Sequence, residues 1–562
     1  MLRLQANATF TSGAVLAPAF VVQEQKLVAE HRNIADTAAE AEHFRAAVAR
    51  VSQELSSLAE QNDVFAAHLE LVSDPTLEEE VCSAVSAEHR CAEWVLEDVI
   101  AAYYAEFEAM ENPYFRERAA DIKDIGMRLM AALKNVSDLR FSGIREHVIV
   151  VAKDLTPSDT AKMPLELVDG FLTQEGGITS HVAIMAKGLG IPALVGVEGL
   201  LAAVENGTML AFDAATGEII TAPEPDVLAR YRRSLLAQQK QAEAFAQAAK
   251  LPAVTADGKA VLLYANIGGC EELAPALRNG AAGVGLFRTE FLYMNNSHFP
   301  TEEEQFSAYR QAAESLDGRE LIVRTLDIGG DKTLPYFTFD AEENPFLGCR
   351  AIRFCLAHPE LFRVQLRALL RAAAYGNLKI MYPMMVDLEE LLQANQILDT
   401  CKAELEHEGV CFRRDTPVGM MIETPASVLL AEQFAARVDF FSIGTNDLTQ
   451  YVLAADRGNR KLSALYNPLR PAVIAAIDRV IRAAHAAGIS VGMCGEFAGD
   501  PRAFSLLIGL GLDEFSLSAA RIPELKLRLQ NLNFSHAQCL AQEALRCDTM
   551  EKITALLGSA SQ

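Results

Sequence analysis

The sequence predicts an α/β multidomain chain, with a helical block and a small α/β unit in its first half and a closed parallel (β/α)8 TIM barrel in its second. Three observations predict it. Between Gly13 and Gly126 there is no glycine, the only prolines are Pro18, Pro75 and Pro113, and apolar residues recur every three to four positions, as in Phe44, Val48, Val51, Leu55 and Leu58; this is helical periodicity. At His147 the texture changes to short β-rich runs. After Lys250, short apolar strands that end in polar residues and lead into helical stretches repeat about eight times over some 280 residues, enough to close a barrel.

Taken in order, the apolar run Gly13 to Val22 has the look of a signal-peptide core, but only Arg3 precedes it and Pro18 interrupts it, so it reads as strand and turn. The helical block is expected over 26–139. The α/β unit comprises residues 1–25 and 140–222, with VIVVA at 148–152, GFLTQEGG at 170–177, a helix from Ser180, PALVGV at 192–197 and a turn at Asn206-Gly207. Residues 223–250, rich in Ala, Gln and Lys and free of glycine, predict a connecting helix. The barrel is expected over 251–540, with strands at 261–268, 283–290, 321–330, 378–385, 418–425, 440–447, 490–496 and 513–518, followed by a helix and tail at 541–562.

Half of the 562 residues are hydrophobic, and 50 Lys and Arg against 75 Asp and Glu give a net charge of -25. That balance argues against a basic nucleic-acid groove and against binding to anionic lipid. It also requires any anionic substrate to be gathered locally by Arg, Lys or a metal. The ten cysteines are scattered with no CxxC, which fits a reducing compartment. No apolar run reaches the roughly 18 residues of a membrane helix, so membrane insertion is not expected and a cytoplasmic location is.

In a parallel barrel the carboxyl ends of the strands share one rim. Aligning the predicted strands places Asn266, Arg288, Glu290, Arg324, Asp327, Glu423, Asn446, Asp447, Cys494 and Glu496 there. Two arginines on adjacent strands can hold a phosphate through paired, charge-assisted hydrogen bonds. Lys332, in GGDK, and Arg457, in ADRGN, add positive charge. The plainer reading of any one of these is an ion pair at the barrel end. Glu423 and Asp447 end consecutive strands and would repel a phosphate unless a divalent cation lay between them, and hard oxygen ligands favour magnesium; the plainer reading is a salt bridge to the arginines. Cys494 reads as apolar packing or as an acid-base group at the rim.

The segment GGITSHVAIMAK at 176–187 offers Thr179 and Ser180 as caps for a helix that begins at His181. A helix amino end stabilises phosphate through its free N–H groups and dipole, and a neutral imidazole there can attack phosphorus. The plainer reading is a surface or capping histidine.

GGITSHVAIMAKGLGIPALVG, with GVGLFRTEFLY, RTLDIGGDK, NPFLGCRAIR, IETPASV, FFSIGTNDLTQY, ADRGN and VGMCGE, resembles the enzyme I family of the bacterial sugar phosphotransferase system, in order and from end to end. The resemblance implies a phosphohistidine swivelling α/β subdomain with an inserted helical subdomain that docks the carrier HPr. It also implies a barrel that binds phosphoenolpyruvate and forms a homodimer. It implies that His181 is phosphorylated on Nε2, that Arg288 and Arg324, with Arg457 and Lys332, clamp the phosphate, that Arg350 is another arginine of the active site, and that Glu423 and Asp447 hold Mg2+. It further implies that Asn446 beside them contacts substrate and that Cys494 protonates the enol carbon as pyruvate forms. Thr156, in DLTPSDT, matches a residue near the phosphohistidine.

The sequence departs from that family at TSGAVLAPAF (11–20), where a Ser-Pro-Gly turn is usual, and at Ile178, where several relatives have Arg. Pyruvate phosphate dikinase and phosphoenolpyruvate synthase share the histidine and the barrel, but nothing in this chain supplies their ATP-grasp domain. A non-catalytic regulatory homologue is disfavoured by the intact His181, Glu423, Asp447 and Cys494. The remaining alternative keeps the chemistry and changes the acceptor, as in a multiphosphoryl fusion or a dihydroxyacetone-kinase system.

Overall fold

In the computed structural model, all residues are described except 1, 7–8, 23–26, 60–62, 110–118, 137–139, 142, 157–158, 161, 178–179, 295, 331 and 561–562; at 57–59, 63–64, 66–67, 119–120, 181, 184, 188, 460 and 560 the backbone alone is described. Pro113, Ile178 and Thr179 therefore lie outside the described residues. The chain divides into two compact units, Met1–Lys240 and Gln241–Gln562.

The first unit contains a seven-stranded sheet of β1 (Leu2–Gln5), β2 (Ala14–Val21), β3 (Val148–Ala152), β4 (Val168–Thr173), β5 (Ala193–Leu194), β6 (Met209–Asp213) and β7 (Glu218–Thr221), in the order β1-β7-β6-β2-β3-β4-β5. Pro18 is accommodated within β2. The Ala19 N–H points to Thr208 O on the β6 side, so the N–H that Pro18 lacks would face β3, and pairing with β3 starts only at Ala19. No ladder bond is lost there.

The helices α1 (Thr37–Ala59), α2 (Asp63–Val72), α3 (Pro75–Glu88), α4 (Ala92–Glu108) and α5 (Ala119–Leu133) leave the sheet after β2 and return before β3. They have a core of their own, in which Phe44, Val48, Val51 and Leu55 form the buried stripe of α1, as the three-to-four spacing predicts. Helix α3 starts cleanly because the Asp74 side chain accepts from Thr76 N at 2.8 Å and Pro75 occupies the first turn, where its missing N–H is no loss. α6 (His181–Leu189) connects β4 to β5, and α7 (Pro225–Ala248) is the long helix expected at 223–250.

The second unit is a closed parallel barrel of β8 (Leu262–Ile267), β9 (Val284–Arg288), β10 (Glu320–Arg324), β11 (Asn377–Tyr382), β12 (Val418–Ile422), β13 (Phe440–Ile443), β14 (Ser490–Met493) and β15 (Glu514–Leu517), with β15 pairing back to β8. Its outer layer is helical. In the helix Pro359–Ala372, for example, Phe362, Leu366, Leu369 and Leu370 are buried. Inside, Leu286, Ile322, Met381, Met421, Phe440 and Cys494 form a separate cluster, as expected for alternate strand residues pointing inward. The strands are shorter than the sequence windows because pairing stops where the polar residues begin. Arg288 and Arg324 end their strands, and Glu423 and Cys494 each follow one by a single residue. At the carboxyl end, helices Phe534–Ala544 and Met550–Ala560 straddle and follow the expected boundary at 540. Among the described residues, no helix is long and apolar enough to cross a membrane.

Candidate active site

The carboxyl ends of the barrel strands surround a cavity of about 530 Å³. Arg288, Arg324, Lys332, Glu423, Asn446, Asp447, Arg457 and Cys494 line it, together with Glu290, Asp327, Tyr466 and Glu496. Nine of the ten residues given a chemical role from the sequence, all but His181, thus belong to the barrel unit. Eight of them reach the cavity directly, and Arg350 is buried behind it, 1% exposed.

Its cations are held by carboxylates. Arg324 places Nη2 2.6 Å from Glu290 Oε1 and Nη1 3.1 Å from Asp327 Oδ2. Lys332 Nζ reaches the same two oxygens at 2.8 Å each, because a turn pairing Gly329 with Lys332 folds it back over the mouth. Arg350 bridges Asp327 Oδ1 at 2.9 Å and Asp447 Oδ1 at 3.2 Å, while Arg457 lies 3.6 Å from Asp447 Oδ2. Arg288 has no ion-pair partner among the described residues. Burial raises the Asp327 carboxyl, but the Arg324, Lys332 and Arg350 charges outweigh it and hold the group well below the usual carboxylate range. Burial likewise opposes the charge of Arg324 and Arg350, yet the facing carboxylates keep both guanidiniums above their ordinary value.

Glu423 stands apart from this network. Its Oε1 accepts from Met384 N at 2.6 Å, and burial, followed by the charges of Asp447 and Asp327, pushes it up to about 8. Gly444 makes room for it, since a Cβ there would meet Glu423 Oε2 at 2.8 Å and Met421 Sδ at 2.9 Å. Asp447 and Asn446 are carried by α8 (Thr445–Leu453), directly after β13. The Asn446 side chain accepts from Glu496 N at 3.2 Å and its backbone carbonyl from Tyr466 Oη at 3.0 Å, so its amide is fixed across the mouth. Glu423 and Asp447 are the side chains that could hold a metal ion; among the described residues no cluster of three or more His, Cys, Asp or Glu does so unaided.

Cys494 sits at the cavity floor. Burial pushes its thiol up to about 11, while Ser442 and Arg324 act in the opposite direction, so it carries its proton at neutral pH. Asn266 Nδ2 donates to its carbonyl at 3.0 Å.

In the first unit, His181 is the first residue of α6. Ser180 caps the helix, accepting from Ala183 N at 3.4 Å, and Gly190 ends it with φ 70°. A helix start of this kind presents free N–H groups to an anion. Thr156 and Asp159 bond reciprocally, Thr156 N to Asp159 Oδ2 at 2.9 Å and Asp159 N to Thr156 Oγ1 at 3.3 Å, and Arg140 reaches Asp159 at 2.6 Å.

Sequence reasoning put Glu290 and Asp327 at the rim but gave them no task; their task is to fix Arg324, Lys332 and Arg350. The signal was there in RTE and LDIGGDK, acids beside predicted phosphate-binding cations. Tyr466 carried no comparable signal.

A parallel barrel with a charged mouth at its strand ends, preceded by a separate unit that starts a capped helix with histidine, is matched along the chain by the PEP-utilising enzymes. Family comparison agrees: residues 242–534 match the PEP-binding domain of the PEP-utilising enzymes, 144–217 their mobile domain and 8–118 their N-terminal domain. The chain is 46% identical over 556 residues to the phosphoenolpyruvate-protein phosphotransferase of Bacillus sp. (strain S), covering 97% of this chain and 96% of that one. It is equally similar, with the same coverage, to that of Geobacillus stearothermophilus, and 44% identical to that of Bacillus subtilis (strain 168), covering 97% and 98%. The chain belongs to the phosphoenolpyruvate-protein phosphotransferase family and is a transferase.

Proposed function

We propose that this enzyme moves the phosphoryl group of phosphoenolpyruvate onto His181 and from there to the carrier protein HPr, releasing pyruvate, as the first step of sugar uptake by the phosphotransferase system in the cytoplasm. The observation that carries the reading is the mouth itself, where Arg288, Arg324, Lys332 and Arg457 converge beside Glu423 and Asp447 on a single cavity.

The residues fit a divalent cation, Mg2+. The Glu423 carboxyl is raised by burial and then by the charge of its neighbour Asp447, an arrangement that a cation would relieve, and Gly444 leaves its Oε2 uncovered. Glu423 and Asp447 would hold it, and when bound it would supply charge stabilisation to the transferring phosphoryl group. Arg288 and Arg324 bind the phosphoryl oxygens, with Lys332 and Arg457 flanking them. Arg350 fixes Asp447 and Asp327, and Asn446 orients the substrate. His181 Nε2 attacks phosphorus; the P–O bond to the enol oxygen breaks as the N–P bond forms, and Cys494 gives its proton to C3 of the enolate. Positioning supplies much of the remaining acceleration.

His181 and the mouth belong to different compact units, so the first unit must deliver the histidine to the barrel and then to the carrier. The helical block 26–139 is the HPr-docking subdomain in this reading, the sheet of 1–25 and 140–222 carries His181, α7 is the linker, and the barrel at 251–540 forms the homodimer.

Incubation with Mg2+ and phosphoenolpyruvate labelled in its phosphate, without ATP, is expected to give acid-labile, base-stable label that purified HPr removes. No label on the wild type, or undiminished label on His181→Ala, sinks the reading. Label that HPr leaves in place while another carrier takes it reassigns the acceptor.

A further inference from the structure

Cys494 stands one residue past β14, and its backbone is held at both ends. Its N–H donates to Ile443 O at 3.1 Å, but the last paired residues of β13 and β14 are Ile443 and Met493, so the Cys494 carbonyl lies beyond the ladder. A buried carbonyl there needs a donor from elsewhere. The donor is a side chain two strands away, Asn266 on β8, whose Nδ2 lies 3.0 Å from the Cys494 oxygen. The residues that follow are held from the opposite side, where Glu496 N donates to Asn446 Oδ1 at 3.2 Å. Gly495, between them, packs so closely on the start of α8 that a Cβ would meet Thr445 N at 2.7 Å.

Asn266 is itself fixed. Its neighbours Ala265 and Ile267 belong to the main core cluster, as do Phe515 and Leu517 on β15, so Asn266 and Ser516 point the other way, into the barrel. There Ser516 donates from Oγ to Asn266 Oδ1 at 2.7 Å. A carbonyl can only accept, so the amide has to turn its nitrogen to Cys494 and its oxygen to Ser516. Gly285 on β9 leaves space for the hydroxyl, since a Cβ there would meet Ser516 Oγ at 2.5 Å. β14, β15 and β8 are consecutive in the barrel, and the chain Ser516–Asn266–Cys494 ties all three together beneath the mouth.

We propose that Asn266 is a positioning residue that aims the Cys494 thiol at one face of the enolate. This rests on the assignment of Cys494 as the acid that protonates enolpyruvate. A cysteine has a single torsion between backbone and sulfur, and Sγ lies 3.9 Å from Ile443 O, too long a contact to orient it firmly. The direction of the S–H bond therefore follows the backbone that carries it. Asn266 exchanges no proton: Cys494 gives its S–H proton to C3, the thiolate left behind regains one from water, and the amide holds the carbonyl in place throughout. Without that donor the carbonyl turns to find another, the thiol turns with it, and enolpyruvate leaves unprotonated to become pyruvate in solution, where either face takes the proton.

The test uses phosphoenolpyruvate carrying deuterium stereospecifically at C3, in tritiated water at pH 8 with HPr as acceptor, and reads the chirality of the pyruvate methyl group beside the extent of His181 labelling. Wild type is expected to give a chiral methyl. Asn266→Leu removes both hydrogen bonds at similar size, while Asn266→Asp keeps the bond from Ser516 and sets an acceptor against the Cys494 carbonyl. Both are expected to label His181 to wild-type extent and to give a largely racemic methyl. A methyl as chiral as wild type from either variant overturns the inference. Loss of His181 labelling in both also overturns it, in favour of a structural role, because the phosphoryl step does not depend on where the thiol points. Cys494→Ala is expected to give a racemic methyl, and a chiral one there would overturn the Cys494 assignment instead.

Discussion

Glu514, buried on β15, makes a thermodynamic prediction that needs no substrate. Its carboxyl is shifted from 4.5 to about 8 by burial and by Glu320. An acid whose folded value is raised destabilises the fold: the cost is absent below the unfolded value, grows as pH rises from 4.5 to about 8, and is constant above. At about 1.4 kcal/mol per unit, the cost is about 3 kcal/mol at pH 7 and vanishes near pH 4.5. Glu514→Gln removes it and adds an amide N–H to satisfy, which costs about 1 kcal/mol, so the net gain at pH 7 is about 2 kcal/mol. With an unfolding entropy of ~2 cal/mol/K per residue in a unit of roughly 320 residues, the barrel should melt about 3 °C higher. Differential scanning calorimetry at intervals from pH 5 to 8 measures this. Trp94, the chain's one tryptophan, lies in α4 of the first unit, so its fluorescence should melt unchanged and serves as the internal control. A gain that is absent at pH 7, or that stays constant from pH 5 to 8, refutes the reasoning.

Asp327→Asn removes the charge that Arg324, Lys332 and Arg350 share. Breaking buried pairs of this kind costs about 3 kcal/mol or more, so thermal unfolding of the barrel should come earlier and His181 labelling should require more phosphoenolpyruvate; the wild-type contribution of this depressed carboxyl is present at neutral pH and fades only under acid, as pH falls through its folded value. Gly444→Ala drives a methyl to 2.8 Å from Glu423 Oε2; it should raise the Mg2+ concentration needed for labelling, at a cost of about 1–3 kcal/mol in barrel stability, as a metal titration and a melt would show. Ser180→Ala removes the cap of α6, and amide hydrogen exchange at Ala183 should speed up by about fivefold, equivalent to a loss of ~1 kcal/mol.

The barrel was legible because each strand is a buried apolar run that ends in polar residues, a pattern that survives without any knowledge of pairing. The edge strand β1 and its neighbour β7 were harder to read, since four-residue runs such as LRLQ and EIIT have too little periodicity to stand out. The cations and carboxylates of the mouth were legible as residue types. Their pairing was not, because Lys332 meets Glu290 across 42 positions and Arg350 meets Asp447 across 97, contacts that barrel closure creates. The bridge from Ser516 through Asn266 to Cys494 was hidden for the same reason, since its two bonds span 250 and 228 positions.

The net charge of -25 suggested that an anionic substrate needs a basic pit, and the mouth is not one. Its lining carries Arg288, Arg324, Lys332 and Arg457 against Glu290, Asp327, Asp447 and Glu496, with Glu423 raised to about 8 and protonated at neutral pH, and Arg350 behind them leaves the mouth within one charge of balance. Near-balanced charge keeps the cations ordered in the absence of substrate, since each of Arg324, Lys332 and Arg350 bridges two carboxylates and none has to be immobilised when phosphate arrives. The attraction must then come from what is added. A divalent cation that replaces the proton on Glu423 adds positive charge beside Arg288, the cation with no carboxylate partner among the described residues. In the proposed reading metal and phosphate would bind as a coupled pair, and the acidic surplus elsewhere on the chain would not repel the substrate, because screening confines its reach to about 8–10 Å.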